Sequence, residues 1–168
     1  MFEMASTVEN KEGWVVTFAN GKMAKIKTKW YMSLHSILTD GLKEHKLVRK
    51  ILEEEIDDIL AQIPPENTEE RDFINDLTEV VVSHVNGLAT EAYELFNDNF
   101  DGDRKAFAMK FKEHKLFRHM TKLFRENSFE LVEKSVVEMM FQRCFRLEKA
   151  KAYLKDLGFE REIRLLDE

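Results

Sequence analysis

From about residue 35 onward, apolar side chains recur every three or four positions, and Pro64-Pro65 is the only proline break in the chain. That period lines one face of an α-helix and fits neither a strand nor a loop. The chain is therefore expected to be mainly helical. Two prolines and six glycines in 168 residues are too few for a turn-rich sandwich or barrel. A hydrophobic share of 43% can fill one core and is too high for a disordered chain.

Four long helices follow from this pattern. Residues 41–62, with Ile63 just beyond, place Leu47, Ile51, Ile56, Ile59, Leu60 and Ile63 on one side, and the prolines end that helix. The next helix, 68–97, carries Phe73, Leu77, Val81, Val85 (or His84), Leu88, Ala92 and Leu95, with Asn67 and Glu70 in capping-box spacing. A third covers 104–126 after the turn 97–103, with Asp101 or Asp103 as N-cap. A fourth covers 128–157, entered through Asn127 and Glu130 and closed by Gly158.

The first 34 residues read differently. Trp14–Phe18 is a β-prone run, Asn20-Gly21 follows, and a second run extends from Lys22 to Tyr31. Asn-Gly between two such runs is a strong hairpin signal. A lone hairpin is marginal in water, so it must lean on the helices or on another polypeptide. The expected architecture is a β-hairpin (1–34) followed by a bundle of four or more helices (35–168).

Cys144 is the only cysteine, which excludes a disulfide framework and a cysteine zinc site. No apolar run reaches the roughly 18 residues of a membrane span, and no signal peptide is expected. A reducing cytosol is the expected compartment. The net charge of −6 argues against nucleic acid only until it is resolved along the chain. Residues 41–103 hold five Lys/Arg against seventeen Asp/Glu, a net −12. Residues 104–155 hold fourteen against six, a net +8.

The hairpin concentrates the candidate chemistry. Residues two apart on a strand share a face, so Lys25, Lys27 and Lys29 are expected to point one way, opposite Ile26 and Trp30. Three ammonium groups on one face repel each other, and a bound anion relieves that repulsion. Glu12 on the partner strand can balance the lysines or hold a metal ion. The alternative is a solvated edge strand guarded by lysines.

Glu12-Gly13-Trp14-Val15-Val16 followed by Lys25-Ile26-Lys27-Thr28-Lys29-Trp30-Tyr31 resembles motifs IV and V of the covalent nucleotidyltransferases, and most closely the bacteriophage tRNA-repair ATP-dependent RNA ligases of the RNA ligase 1 type. Leu34 and His35 continue the likeness, which covers residues 12–35. The helical remainder matches only in kind and length. The resemblance implies that Glu12 is a carboxylate holding the catalytic Mg²⁺. It implies that Lys25 and Lys27 contact the ATP phosphates and stabilise charge during adenylyl transfer. Lys29 is unassigned. Family members attack ATP with the lysine of a Lys-x-Asp-Gly motif. Here the Asp-Gly pairs are Asp40-Gly41 and Asp101-Gly102, with Leu38 and Asn99 where the lysine belongs. The expectation is a C-terminal portion of such a ligase, split or truncated. Its hairpin would end a nucleotidyltransferase domain whose missing part, a separate N-terminal chain if the gene is split, would supply the nucleophile; alone it would be inactive and bind neither ATP nor Mg²⁺ tightly. The RNA partner implied is a tRNA broken in its anticodon loop.

RNA contacts are expected on the basic block. A wheel of 104–126 places Met109, Leu116, Met120, Leu123 and Phe124 on one side. Arg104, Lys115, Arg118, Lys122 and Arg125 fall on the other, with Phe107 and Phe111. Cations for phosphates and rings for bases make a nucleic-acid surface. The alternative is that the two rings pack inward and the lysines pair with the acidic segment. Arg143, Arg146, Lys149 and Lys151 extend the block or simply decorate the last helix.

His84, among valines, reads as a hydrogen-bonded core histidine, Cys144 as a small core residue, and the run Glu53–Asp58 as a solvated helix face. His35, His45, His114 and His119 show no metal spacing. Two other functions compete with the ligase: a stand-alone helical RNA-binding module, and a protein-binding adaptor whose acidic segment meets a basic partner.

Overall fold

The computed structural model describes residues 2–163. The last five residues of the expected helical domain lie outside them. A short helix, α1 (Phe2–Ala5), precedes an antiparallel hairpin of β1 (Gly13–Thr17) and β2 (Met23–Lys27). Then come α2 (Lys29–Ser36), a π-turn (Ile37–Gly41), α3 (Glu44–Leu52), α4 (Ile56–Gln62) and α5 (Thr68–Asn99). The chain closes with α6 (Arg104–Phe111), α7 (Phe117–Met120), a 3₁₀ turn (Thr121–Phe124), α8 (Phe129–Arg143) and α9 (Leu147–Asp156). The fold is mainly helical with a small N-terminal hairpin, as the patterning requires. No helix among the described residues is long and apolar enough to cross a membrane.

Helix α5 is the axis of the core. Phe73, Ile74, Leu77, Val81, Val85, Ala89, Ala92 and Phe96 are all buried along it, at the three- and four-residue steps of one helical face. Helices α3, α7 and α8 pack against α5, and α9 packs against α3. Helix α9 ends in a Schellman motif. Gly158 takes φ +84, its N–H donates to the Lys155 carbonyl, and the Phe159 N–H donates to the Leu154 carbonyl. Phe159 then packs edge-on against Phe73, with ring centroids 5.6 Å apart.

Three of the four long helices expected from the pattern are broken. The helix read over 41–62 divides at Glu53–Glu55, where Glu54 is left-handed at φ 58. Carboxylates are unfavourable at a helix C-terminus and favourable at an N-terminus. Glu53 to Glu55 therefore stop α3, while Asp57 and Asp58 sit in the first turn of α4. The run Glu53–Asp58 is thus a junction, with Lys50 and Arg49 paired to Glu53 and Lys50 to Glu55.

The helix read over 104–126 divides after Phe111 for a tertiary reason. As one straight helix, Phe124 would lie roughly 26 Å along the axis from Phe107. In the fold their ring centroids are 5.6 Å apart, because the chain doubles back to complete an aromatic cluster of Phe96, Phe100, Phe107, Phe111 and Phe124. The helix read over 128–157 divides at Cys144–Arg146, which lets α8 lie on α5 and α9 on α3. Asp103 is the N-cap of α6, its carboxylate accepting from the N–H groups of Lys105 and Ala106. Neither Asn67 nor Ser128, the N-caps of α5 and α8, makes a side-chain cap bond.

His119 is buried, and its Nδ1 lies 3.0 Å from the Ser135 hydroxyl. Burial first, then Arg118, Lys122 and Arg143, push its pKa below the ordinary 6.5. His84 and His45 are lowered as well, again chiefly by burial. Between 6.5 and these folded values the unfolded chain binds more protons, so stability is full above 6.5 and falls as pH drops. The unfolding midpoint is expected to decline from pH 7 to pH 5, and less steeply in His119→Gln. Urea titrations at several pH values check this, and a midpoint flat over that range counts against it.

Candidate functional site

The hairpin turn realises the Asn-Gly signal in a three-residue form. The Gly21 N–H donates to the Phe18 carbonyl and the Phe18 N–H to the Lys22 carbonyl. Gly21 is left-handed at φ 78 while Asn20 is not. This is a type I turn closed by a glycine bulge, not a mirror-image two-residue turn. The register pairs Gly13 with Lys27, Trp14 with Ile26 and Val15 with Lys25, so Lys25 and Lys27 share a face.

Lys29 does not join them. The strand expected to reach Tyr31 stops at Lys27, and Lys29 opens α2. Thr28 causes the change. It is fully buried, its N–H donates to the Glu12 carbonyl at 2.9 Å, and its hydroxyl donates to the Lys11 carbonyl. The same oxygen accepts from the Tyr31 N–H at 3.1 Å, capping α2. One side chain thus ends the hairpin and starts the helix. A threonine followed by a helix-competent stretch is the signal that the β-prone Ile26 to Tyr31 run conceals.

Glu12, Lys25 and Lys27 reach one pocket, with no ion pair between Glu12 and either lysine among the described residues. With Gly13, Trp14, Val15 and Ile26 they line a pocket of about 170 Å³. That is below the roughly 300–1,000 Å³ of sites that enclose a small ligand, so the hairpin is one wall of a site and suits a phosphate better than a whole nucleotide. Lys25 and Lys27 are exposed and have no carboxylate partner among the described residues. Lys27 Nζ lies 4.7 Å from the Tyr31 ring centroid. Glu12 is the single carboxylate of the pocket, and the described residues contain no group of three or more His, Cys, Asp or Glu placed to hold a metal. One carboxylate fits Mg²⁺ that keeps its waters and substrate phosphates, and does not fit an all-protein cage.

Gly13 is a second residue the motif reading passed over. Its φ is +154, and a Cβ built there would sit 2.0 Å from the Ile26 carbonyl oxygen. The strands approach so closely that only glycine fits.

The basic block is partly committed elsewhere. Arg104 donates to the Phe124 carbonyl and lies 5.6 Å from the Phe124 ring, tying α6 to the 3₁₀ turn. Lys115 pairs with Glu91 at 3.3 Å. Arg118, Lys122 and Arg125 are exposed and have no carboxylate partner among the described residues. Phe107 and Phe111 are buried in the aromatic cluster, while Met109, expected inward, is 70% exposed. The rings placed beside these cations by the wheel therefore cannot stack on bases. His84 is hydrogen-bonded as read, its Nε2 2.8 Å from the Tyr153 hydroxyl, but it is half-buried and lies outside the core. Cys144 is a buried core thiol, pushed up to about 11 mainly by burial.

Asp40, of the first Asp-Gly pair, is bound by Lys43 and Lys46, which hold its carboxyl down at about 2. That pair serves the turn before α3 and carries no nucleophile. No protein-family model matches this chain, and no solved structure matches it.

Proposed function

We propose that this chain is the C-terminal part of an ATP-dependent RNA ligase of the tRNA-repair type, which joins an RNA 5′-phosphate to a 3′-hydroxyl. The observation that carries the reading is the hairpin. Glu12, Lys25 and Lys27, from the two motif-like stretches, line one pocket at the hairpin. The helical remainder is the expected companion. ATP, with Mg²⁺, supplies the activated adenylyl group when bound. Lys25 and Lys27 hold its phosphates and stabilise their charge, and Glu12 contributes one metal ligand.

This sequence contains no Lys-x-Asp-Gly, so the nucleophile must come from another polypeptide segment. The exposed apolar side chains of the hairpin support such a completion. Val15 is 58%, Phe18 53% and Met23 71% exposed, and no hairpin residue belongs to the buried core. A two-stranded sheet of this kind is marginal alone and gains stability as part of a larger sheet.

The test is reconstitution with a chain carrying Lys-x-Asp-Gly, measuring labelled AMP on protein and sealing of a nicked anticodon stem-loop. Addition of this chain is expected to raise sealing. Lys25→Ala and Lys27→Ala are each expected to lower it about 100-fold or more, with unchanged unfolding midpoints because both side chains are exposed. No gain on addition, or alanine variants as active as the parent, would overturn the reading.

A further inference from the structure

The exposed aromatic ring that the basic block lacks is found at the α8–α9 junction. Phe145 is 66% exposed, and the Arg146 guanidinium lies 5.4 Å from its ring. Two residues earlier, Arg143 lies 5.0 Å from the Tyr153 ring, whose hydroxyl is held by His84. One short turn thus presents two arginine–aromatic pairs. Arg143, Arg146 and Lys149 have no carboxylate partner among the described residues. A guanidinium over a ring can keep N–H groups for a phosphate, as Arg146 does, while Arg143 also hydrogen-bonds Tyr153 and adds charge.

Beside this turn, facing α3, is a groove of about 530 Å³. Val48, Phe141, Cys144 and Phe145 line it, together with His45, Lys46 and the Arg49–Glu53 pair. Its volume falls in the range of small-ligand sites, Val48, Phe141, Cys144 and Phe145 give it an apolar side, and the charge next to it, Arg143, Arg146 and Lys149 against Glu148, is net positive. An aromatic heterocycle carried on an anionic backbone matches both properties. Single-stranded RNA is read in this way, with bases on aromatic faces and phosphates on cations.

We propose that this groove takes an unpaired RNA base stacked on Phe145, with the flanking phosphates on Arg146 and Arg143. The proposal rests on the RNA-directed part of the reading above and moves the base contacts from α6 and α7 to the α8–α9 turn. Positive charge and the paired arginines favour RNA over an apolar peptide.

Fluorescence anisotropy of the full chain with a labelled, unstructured oligoribonucleotide tests it. The single strand is expected to bind more tightly than the same sequence as a duplex. Phe145→Leu, which keeps apolar bulk and removes the ring face, is expected to weaken binding roughly tenfold, and Phe145→Tyr to retain it. Arg146→Ala is expected to lower the dependence of log affinity on log salt by about one. Phe145 and Arg146 are exposed, so unchanged unfolding midpoints will show that the variants fold.

Equal affinity of Phe145→Leu and the parent overturns the proposal, as does equal binding of duplex and single strand or no binding at all. An apolar peptide that displaces RNA and binds Phe145→Leu equally would assign the groove to a protein partner. Sealing by the reconstituted ligase is a separate readout. Lysine-dependent sealing with RNA affinity indifferent to Phe145 would sink the groove and leave the ligase standing.

Discussion

Replacing Phe96 with alanine is expected to destabilise the protein by about 3–5 kcal/mol, the range for removing a fully packed aromatic side chain. Phe96 is 2% exposed. Its ring meets Phe100 at 4.7 Å, Phe107 at 5.2 Å and Phe124 at 5.6 Å. These contacts join α5 to both limbs of the doubled-back segment 104–124. Neither short helix holds alone, because α6 is eight residues long and α7 four, both far below the length at which an isolated helix persists in water; besides this cluster the segment is anchored by Leu116, Met120 and Leu123. Phe96→Ala should therefore lower the urea midpoint and also remove hydrogen-exchange protection from 104–124 before the rest of α5 opens. Phe129→Ala is the contrast. That ring is 37% exposed and its one ring contact among the described residues is Tyr93, so its loss should cost far less. A Phe96→Ala midpoint within error of the parent would show that the cluster does not hold the segment.

The second large effect is local. Gly13→Ala is expected to open the hairpin while leaving the helical core folded. The added Cβ would lie 2.0 Å from the Ile26 oxygen and within 3 Å of the Lys27 Cα. Both are backbone atoms of the paired strand, so no rotamer change can relieve the clash. Strain at such a backbone position costs about 1–3 kcal/mol by itself, and an isolated two-stranded hairpin has no such margin. Cross-strand NMR contacts between Trp14 and Ile26, and between Val15 and Lys25, should disappear. The core should keep its unfolding midpoint, because no hairpin residue belongs to it. In the reconstituted ligase the same variant should lose sealing as fully as Lys25→Ala, since an open hairpin disperses Glu12, Lys25 and Lys27. Retained cross-strand contacts would show that the strands can separate enough to admit a methyl group. Retained sealing without them would show that the pocket is not the working site.

Much of the candidate hairpin site was legible in the residues. The alternation that puts Lys25 and Lys27 on one face holds, and the hairpin closed at Asn20-Gly21 brings Glu12, just before β1, to the same pocket. The end of the strand was not legible. Trp30 and Tyr31 favour strands by type, but Thr28 captures the Lys11 carbonyl and the Tyr31 N–H together, and that pair of bonds turns the chain into α2. On the basic block, spacing assigned Phe107 and Phe111 to the cationic face because it assumed one straight helix. The break after Phe111 takes both rings inward and leaves Phe145, two helices away, as the exposed ring among cations.

What the sequence by itself determined is the class of the fold and its long axis: a hairpin, then helices, with α5 running Thr68–Asn99 close to the span its periodicity marks. Periodicity and turn chemistry act between neighbours in the chain, so they can be read without knowing the partners. Only the tertiary structure decided where the other long helices break, which aromatics are buried and which cations remain free. Those outcomes depend on contacts between distant residues, such as Phe96 with Phe124 or Arg104 with the Phe124 carbonyl. Burying the aromatic cluster outweighs the few backbone hydrogen bonds lost when a helix is interrupted.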